Sequence, residues 1–440
     1  MTSTESTTVA LSNVERQREV RRVVQSSFLG SVLEFYDFLL YGVAAALVFG
    51  PVFFSNLPST VATVASLGTF AAGYLARPIG GIIFGHFGDR VGRKSMLLWS
   101  LSIMGAASFL VGLVPPESVI GPWGAVILVV LRLMQGVALG GEWGGATLMA
   151  LEHADPKKRG FMAAFVNAGA PAGGIIGTLM MGLFSAILTE DEFLSWGWRV
   201  PFLFSALMLA VGLYVRLRVS ESPLFLAAAN QKEAKVSSEV PIMAILRAPR
   251  TVLVVALACV ASFALQSAIT TFGLSYAVDQ GSAREDVLFG FTIGQIAAIV
   301  LILAYAKLSD RIGRRPVMIF GCIASIVLIY PMFELLKAGG ILFTALAFVV
   351  FCVGQNAIYG PMGAFISEQF ATHSRYTGAS VGYQLASLVG GGFTPTVVAS
   401  LYAASDRSVM PVLILIAAIS AISAVFLWLS QETRTRDLTK

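Results

Sequence analysis

The sequence contains few charged residues. Asp, Glu, Lys and Arg make up only 12% of its 440 residues, whereas 56% are hydrophobic and the mean hydropathy is +0.78. Soluble domains carry about 25% charged residues. A chain of this length cannot hide so much apolar surface in its own core, because surface-to-volume scaling limits the buried fraction. The composition excludes an ordinary soluble protein and predicts one that lies in a bilayer.

Cysteine and histidine are scarce as well, with 3 of each. The cysteines lie inside apolar runs, and the histidines lie far apart near the ends of such runs: Cys259, Cys322, Cys352, His86, His153 and His373. This pattern predicts buried thiols without disulfides and offers no metal-ligand spacing. We expect no metal, no cofactor and no enzymatic activity. The basic residues, with a net charge of +5, lie in links between apolar runs, which disfavours nucleic-acid binding.

Long apolar segments recur along the chain. A membrane-spanning helix needs about 20 apolar residues. The hydropathy predicts twelve such helices, at residues 24–54, 59–85, 94–114, 121–151, 159–188, 197–219, 251–279, 285–308, 315–337, 340–369, 376–403 and 408–430. The predicted fold is therefore an all-α integral membrane protein.

The predicted helices fall into two groups of six. A polar stretch at 220–250 separates a bundle at 24–219 from a bundle at 251–430, with a disordered segment at 1–23 and a tail at 431–440. Lys and Arg concentrate in the links on one side, which marks the cytoplasmic side. We expect a multi-pass protein of the inner (plasma) membrane with both termini, the central loop and the tail in the cytoplasm.

A short motif recurs at half the length of the chain. Gly85-His-Phe-Gly-Asp-Arg-Val-Gly-Arg-Lys94 follows the second predicted helix, and Ala306-Lys-Leu-Ser-Asp-Arg-Ile-Gly-Arg-Arg315 follows the eighth. The shared core is Asp-Arg-aliphatic-Gly-Arg-basic, with Asp89 and Asp310 at equivalent positions. The repeat predicts two homologous halves, an architecture typical of secondary transporters.

These loops resemble the signature of the major facilitator superfamily. A narrower resemblance, to the metabolite:H+ symporters, rests on the segments at 34–38, 76–81, 132–145, 197–202 and 221–223 (EFYDF, ARPIGG, RLMQGVALGGEWGG, GWRVPF and ESP). Ser31 and Phe35 depart from that pattern. The resemblance implies two pseudo-symmetric six-helix bundles that work by alternating access. It leaves the substrate open.

Two acidic residues stand one turn apart in the first helix. Glu34, Asp37, Phe38 and Tyr41 share one helical face. Two neighbouring carboxylates repel each other, which favours reversible proton binding by one of them. We expect Asp37 or Glu34 to be the proton-coupling residue. The alternative is that both are ionised and paired with cations in a static role.

The fourth helix carries Arg132, whose planar guanidinium can bind a carboxylate through two hydrogen bonds. By analogy with superfamily symporters, Arg132 is predicted to pair with Asp37 until Asp37 is protonated. It could also bind a substrate carboxylate, or form a static ion pair. In the same helix Gly136, Gly140 and Gly144 predict close helix packing.

Polar residues inside other helices lack partners in lipid, so they face either a cavity or a helix contact. The candidate substrate-binding residues are Tyr36, Tyr41, Arg132, Gln135, Trp143, Asn167, Gln266, Gln295, Asn356, Tyr359, Tyr383 and Gln384. Gln355 is a further polar candidate. The candidate gating residues are Arg77, Asp89, Arg90, Arg93, Glu142, Asp310, Arg311 and Arg314. Within this set, Asp89–Arg93 and Asp310–Arg314 are predicted ion pairs, Glu142 is placed near Arg90, and Arg77 near the cytoplasmic end of its helix.

The predicted function is proton-coupled uptake of a small organic acid or zwitterion, with a shikimate-like hydroxy acid favoured. The expected partners are the substrate, H+ and the lipid bilayer, without nucleic acid, and the chain is expected to act as a monomer. The alternatives are an exporter or H+ antiporter of a metabolite or drug and, with less support, a channel or a membrane enzyme.

Overall fold

The computed structural model describes residues 13–221 and 249–436. Most of the predicted central loop, residues 222–248, lies outside the described residues, as do 1–12 and 437–440. The described ranges form helices and short turns without a β-strand. The predicted disorder of the N-terminal segment can therefore be compared with the structure only from residue 13.

Twelve long helices run through the described ranges. They are α1 Asn13–Leu47, α2 Ser59–Val91, α3 Arg93–Leu113, α4 Trp123–His153, α5 Arg159–Ile187, α6 Arg199–Leu217, α7 Pro249–Ala268, α8 Arg284–Ile312, α9 Arg314–Ala338, α10 Gly340–Glu368, α11 Arg375–Ala404 and α12 Met410–Leu429. Helix α7 continues through Ile269–Gly273 to Leu274–Asp279, and α11 contains one wider turn at Leu388–Gly392.

Eleven helices of the described chain are long and apolar enough to cross a membrane. The remaining long helix, α2 Ser59–Val91, has 33 residues, which is long enough to span a membrane. The predicted all-α membrane fold is confirmed.

Helix α1 begins earlier than predicted. Residues 13–23 were expected to be disordered, but the helix starts at Asn13 and ends at Leu47, with a separate short helix at Phe49–Phe53. The early start has a local reason, because 13–23 is rich in Glu, Gln and Arg, which favour helix in water. Hydropathy detects only the part of a helix that lies in apolar surroundings, so it missed this extension.

The two halves repeat the same packing pattern. In the first half α1 packs on α5, α2 on α4, and α3 on α6. In the second half α7 packs on α11, α8 on α10, and α9 on α12. The equivalent helices thus make equivalent contacts, as expected for two homologous halves.

Glycines allow the closest of these approaches. A Cβ on Gly136 or Gly140 of α4 would collide with the backbone of α2, at Gly73 and Arg77 respectively. A Cβ on Gly173 of α5 would collide with the backbone of α1. The predicted role of small residues in helix packing is confirmed at these positions.

The repeated motif forms the same turn in both halves. Gly92 ends α2 with φ 118°, and Gly313 ends α8 with φ 109°, so both occupy a backbone region that favours glycine. The next helix begins at the following residue in each case. We call the end of the bundle that holds Asp89 and Asp310 the motif end, and the opposite end, which holds Glu117, the far end.

Candidate functional site

Asp37 lies in a small cavity of the first half. It is buried, and the cavity is also lined by Phe38, Arg132, Gln135 and Leu139. Its Oδ1 accepts a hydrogen bond from the hydroxyl of Ser205 at 2.5 Å. A carboxylate held by neutral hydroxyl groups in an apolar site can bind and release a proton without breaking an ion pair.

Arg132 lies in the same cavity but is held mainly by aromatic rings. Its guanidinium carbon is 4.5 Å from the ring centre of Phe38, 4.3 Å from that of Tyr41 and 4.6 Å from that of Phe70. Its Nε and Nη2 have no hydrogen-bond partner among the described residues. Cation–π contacts stabilise the charge here while leaving two donor nitrogens open.

A chain of hydrogen bonds connects Arg132 with the surroundings of Asp37. Nη1 of Arg132 donates to Oε1 of Gln135 at 3.1 Å, and Nε2 of Gln135 donates to the hydroxyl of Ser108 at 2.8 Å. Ser108 also interacts with the Asp37 carboxylate. The ion pairs found in the described ranges do not include the predicted direct pair between Asp37 and Arg132. The two charges share a cavity and are connected through Gln135 and Ser108.

Glu34, one turn before Asp37, is also buried, with 2% of its surface exposed. Its Oε2 has no hydrogen-bond partner in the described part of the chain. The electrostatic influences on Glu34 come from Arg77, Arg216 and Glu142 rather than from a bonded cation. The two acids of α1 therefore have different surroundings, with hydroxyl donors at Asp37 and no bonded donor at Glu34 Oε2.

Glu142 was predicted from the sequence to lie near Arg90, but it has other partners. Its Oε1 pairs with Arg216 of α6, and its Oε2 accepts a 3.4 Å hydrogen bond from Ser100 of α3. Arg90 is exposed at the motif end. The pairing of Glu142 follows from the packing of α3, α4 and α6, which the sequence pattern did not reveal.

Arg77 is likewise not near the motif end of its helix, where the sequence had placed it. Only 6% of it is exposed, and its guanidinium carbon lies 4.3 Å from the ring centre of Phe38 and 4.2 Å from that of Tyr74. Nη1 donates to the hydroxyl of Ser387 in α11 at 3.2 Å. Arg77 is 12 residues from Asp89 in the same helix, or about 18 Å along its axis. It therefore lies near the middle of the helix, at the contact between the two halves.

Four predicted substrate residues contact one another between the two halves. The indole of Trp143 stacks on the ring of Tyr383, with centres 3.6 Å apart, and its N–H donates to Oδ1 of Asn167 at 2.9 Å. Nδ2 of Asn167 donates to the carbonyl oxygen of Tyr359 at 2.6 Å, and the hydroxyls of Tyr359 and Tyr383 are 3.4 Å apart. Trp143 and Asn167 belong to the first half, Tyr359 and Tyr383 to the second.

Other predicted substrate residues have local partners. The hydroxyl of Tyr36 donates to the carbonyl of Pro201 at 2.8 Å, and that of Tyr41 to the hydroxyl of Thr69 at 2.9 Å. Nε2 of Gln384 crosses between the halves to the carbonyl of Gly140 at 3.2 Å. Tyr36 is thus a packing residue within the first half, whereas Gln384 belongs to the contact between halves.

The remaining polar candidates all lie in the second half. Nε2 of Gln355 reaches Ser262 at 3.5 Å, and Nδ2 of Asn356 is buried without a partner among the described residues. Gln266 and Gln295 are half-buried.

At the motif end, the two repeated aspartates each reach into the opposite half. The Asp89 carboxylate accepts hydrogen bonds from the backbone N–H groups of Tyr376 at 3.2 Å and Thr377 at 3.0 Å, at the start of α11. The Asp310 carboxylate accepts from those of Gly160 at 2.9 Å and Phe161 at 2.8 Å, at the start of α5. Each aspartate therefore caps a helix N-terminus across the interface, where the helix dipole favours negative charge.

Buried ion pairs surround these caps. Arg93 pairs with Glu152, whose other oxygen accepts from Arg375 of the second half at 3.2 Å. Arg314 pairs with Asp310 at 2.6 Å and with Glu368 at 3.2 Å. The two halves are thus joined at the motif end by charged groups as well as by the caps. Arg90 and Arg311 are exposed, outside this cluster.

Several members of these ion pairs were not recognised from the sequence. They are Glu152, Glu368, Arg375 and Arg216. A signal was present, since each half carries a Glu seven residues before an Arg, at 152 and 159 and again at 368 and 375. A comparison of the two halves over their full length would have revealed it.

The chain is similar in sequence to known membrane transporters. A family model described as "Sugar (and other) transporter" matches residues 23–241, and one described as "Major Facilitator Superfamily" matches 277–440. The chain is 38% identical to the shikimate transporter of Escherichia coli (strain K12), covering 94% of this chain and 95% of that one. It is 32% identical to the proline/betaine transporter of the same organism, covering 96% and 85%.

A solved structure shares the fold. The proton:xylose symporter XylE bound to 6-bromo-6-deoxy-D-glucose superposes with a TM-score of 0.77 at 18% identity, covering 96% of this chain and 98% of that one. The chain is a multi-pass membrane transporter of the inner membrane, and its relatives are transporters rather than enzymes. It belongs to the major facilitator superfamily. The narrower resemblance to metabolite symporters is confirmed by its shikimate and proline/betaine relatives.

Proposed function

We propose that this transporter couples the movement of a small organic acid or zwitterion to that of a proton, with Asp37 as the proton-binding group. The observation that carries the proposal is the placement of Asp37. It is buried in a cavity beside Arg132, and its carboxylate is held by Ser205. Protonation of Asp37 removes a negative charge from this cavity and so weakens the electrostatic attraction between Asp37 and Arg132.

The membrane orientation is part of the proposal. Most of the 30 basic residues lie in the termini, in the central segment and in the links at the motif end, so we place the motif end in the cytoplasm. The contacts at Asp89 and Asp310 then close the cytoplasmic side. A substrate that enters from outside meets the level of Arg77 and Tyr383, where the two halves touch.

The transport cycle follows from these contacts. With the motif end closed, Asp37 binds a proton and the site binds the substrate. The motif-end caps and ion pairs then separate, and the halves rock about the central site to open the cytoplasmic side. The relatives that transport shikimate or proline and betaine support a substrate with a carboxylate, and we favour a hydroxy acid.

Uptake into proteoliposomes with an imposed pH gradient tests the proposal. Shikimate, glycine betaine and 2-oxoglutarate are offered, and accumulation is measured with and without a protonophore. We expect accumulation of at least one of these solutes that collapses when the protonophore is added. Accumulation that survives it, with no other ion gradient present, would contradict proton symport. Accumulation that occurs only when the imposed gradient drives protons outward would indicate an antiporter instead.

The variant Asp37→Asn separates coupling from binding. We expect it to lose gradient-driven accumulation and to keep exchange of labelled for unlabelled substrate across the membrane, since exchange needs no net proton transfer. Glu34→Gln serves as the matched acid, one turn away on the same helix. Normal accumulation by Asp37→Asn, together with a Glu34→Gln variant that loses accumulation but keeps exchange, would assign the coupling role to Glu34.

A further inference from the structure

We infer that Arg77 binds the carboxylate of the transported solute, at a site between the two halves. The inference rests on the proposed function, since it requires that the chain carries a carboxylate. It assigns the anion-binding role to Arg77 of α2 rather than to Arg132 of α4.

The Arg77 guanidinium has donor nitrogens that no described residue satisfies. A guanidinium has five N–H donors and no acceptor. Nη1 donates to Ser387, whereas Nε and Nη2 have no hydrogen-bond partner among the described residues. The ion pairs identified in residues 13–221 and 249–436 do not include Arg77. Its charge is stabilised by the rings of Phe38 and Tyr74.

Placing the positive charge of Arg77 inside the membrane costs free energy. A charged side chain near the bilayer centre costs about 2.5–3.5 kcal/mol even on insertion scales, and such residues usually face a partner or a polar pathway. The two open nitrogens of Arg77 form part of the planar fork that binds a carboxylate through two parallel hydrogen bonds. A substrate carboxylate would supply the hydrogen-bond acceptors that these two nitrogens lack.

Arg77 also lies at the interface between the two halves. In an alternating-access transporter the substrate site lies near the midplane, at the interface between the repeats. Arg77 reaches from the first half to Ser387 of the second. The described contacts of Arg132, with Phe38, Tyr41, Phe70 and Gln135, all lie within the first half. A solute held by Arg77 therefore touches both halves, which a solute held by Arg132 would not do directly.

The groups around Arg77 indicate the rest of the ligand. Arg77 and Glu34 both act electrostatically on the hydroxyls of Tyr359 and Tyr383 in the second half. Glu34 Oε2 is a buried acceptor without a partner among the described residues. The ligand that fits has a carboxylate at Arg77 and hydrogen-bond donors, hydroxyl or ammonium, directed towards Glu34 and the two tyrosines. This is the chemistry of a small hydroxy acid or amino-acid-like zwitterion.

The test uses exchange in proteoliposomes without a pH gradient, so that proton coupling does not limit the rate. The probes are labelled shikimate and its uncharged methyl ester, with glycine betaine as a second carboxylate. The measured quantity is the ratio of exchange rates of acid and ester at low concentration. Arg77→Gln and Arg77→Lys are compared with the wild type and with Lys337→Gln, which removes an exposed positive charge from α9.

The wild type is expected to prefer the acid, and Arg77→Gln to lose about 10- to 100-fold in exchange of the acid, the range for a charged hydrogen-bond pair. Its exchange of the ester should fall much less, so the ratio approaches one. Arg77→Lys keeps the charge but not the fork. It should retain part of the preference, and Lys337→Gln all of it. A residue that only held helices together would lower acid and ester alike and leave the ratio unchanged.

The outcomes separate the two proposals. An unchanged acid-to-ester ratio in Arg77→Gln would overturn the role of Arg77 and leave symport intact. If gel filtration shows that Arg77→Gln does not fold, an unchanged ratio in Arg77→Lys would overturn it in the same way. A wild type that carries only uncharged solutes would also overturn it, although the chain would remain a transporter. If the wild type transports no solute, the proposed function itself fails.

Discussion

The carboxylate of Asp89 in the first half accepts hydrogen bonds from Thr377 in the second half, from the backbone N–H at 3.0 Å and from the hydroxyl at 2.8 Å. Asp310 makes the equivalent contact in the opposite direction, to the start of α5. The repeated motif therefore forms two symmetric caps between the halves. Each cap consists of hydrogen bonds rather than covalent bonds, so it can break when the two halves move apart.

Asp89→Asn should loosen the motif end. The amide keeps one acceptor oxygen but loses the charge that favours a helix N-terminus, and caps of this kind are worth about 0.5–2 kcal/mol. The population with a separated motif end should rise about 2- to 30-fold. Pulsed electron paramagnetic resonance between spin labels at Lys158→Cys and Lys307→Cys would measure the separation. Both positions are exposed at this end, and the native cysteines are buried, so the labels attach at the chosen sites.

The matched control for this experiment is Asp191→Asn, which removes an exposed acid outside the cluster. Its distance distribution should equal that of the unsubstituted chain. A distribution for Asp89→Asn that also remains unchanged would show that the cap does not hold the motif end closed.

Glu142→Ala should destabilise the protein strongly, because it leaves Arg216 buried without its carboxylate partner. Breaking a buried ion pair from one side typically costs about 3–5 kcal/mol. The double variant Glu142→Leu with Arg216→Met should recover most of this loss, since neither charge then remains. The melting temperature of the purified protein in detergent measures both effects. Equal losses in the single and double variants would contradict the pairing.

Gly140→Ala should lower stability by about 1–3 kcal/mol, the usual range for an overpacked contact. An added Cβ would collide with the carbonyl of Arg77, which is backbone and cannot rotate away. Gly182→Ala of α5 is the control, since nothing lies within 4 Å of a Cβ at that position. It should be neutral or slightly stabilising. Melting temperatures that fall alike in both variants would contradict the close α2–α4 contact.

Glu117, at the far end, should contribute stability that depends on pH. The hydroxyl of Ser55 donates to it at 2.6 Å and the amide of Asn56 at 2.7 Å, and the Ser55 hydrogen bond is the main cause of a pKa below the ordinary 4.5. A carboxyl with a lowered folded-state pKa contributes stability above its unfolded pKa and loses it as the pH falls through the folded pKa. The difference in melting temperature between wild type and Glu117→Gln should thus be constant near pH 7, begin to fall near pH 4.5 and vanish once the pH lies below the lowered folded-state pKa. A difference that persists there would contradict this contact.

Much of the fold could be predicted from the sequence, because a bilayer imposes a length and a hydropathy on each helix. The helices between residues 59 and 430 lie within several residues of their predicted positions. The start of α1 was wrong since residues 13–23 are helical without being apolar. The polar residues of the site were also recognisable, because an ionisable group such as Asp37 or Arg132 inside an apolar run needs a special reason to be there.

The partners of those residues could not be predicted. Glu142 was expected near Arg90 but pairs with Arg216. Arg77 was expected near the cytoplasmic end of its helix but lies near the middle of it, between Phe38, Tyr74 and Ser387. Residues in different helices meet according to the tilt and rotation of each helix. These depend on packing over its whole length, and hydropathy carries no information about them.

By itself, the sequence determined that this protein is a twelve-helix membrane transporter with two related halves, because composition, apolar run length and the repeated Asp-Arg-x-Gly-Arg loop are local properties. Only the tertiary structure decided that Asp89 and Asp310 cap helices of the opposite half, and that Arg77 rather than Arg132 reaches across the interface. Such pairings join residues hundreds of positions apart. They depend on which helix faces meet when the glycine contacts of α1, α2, α4 and α5 bring the helices together.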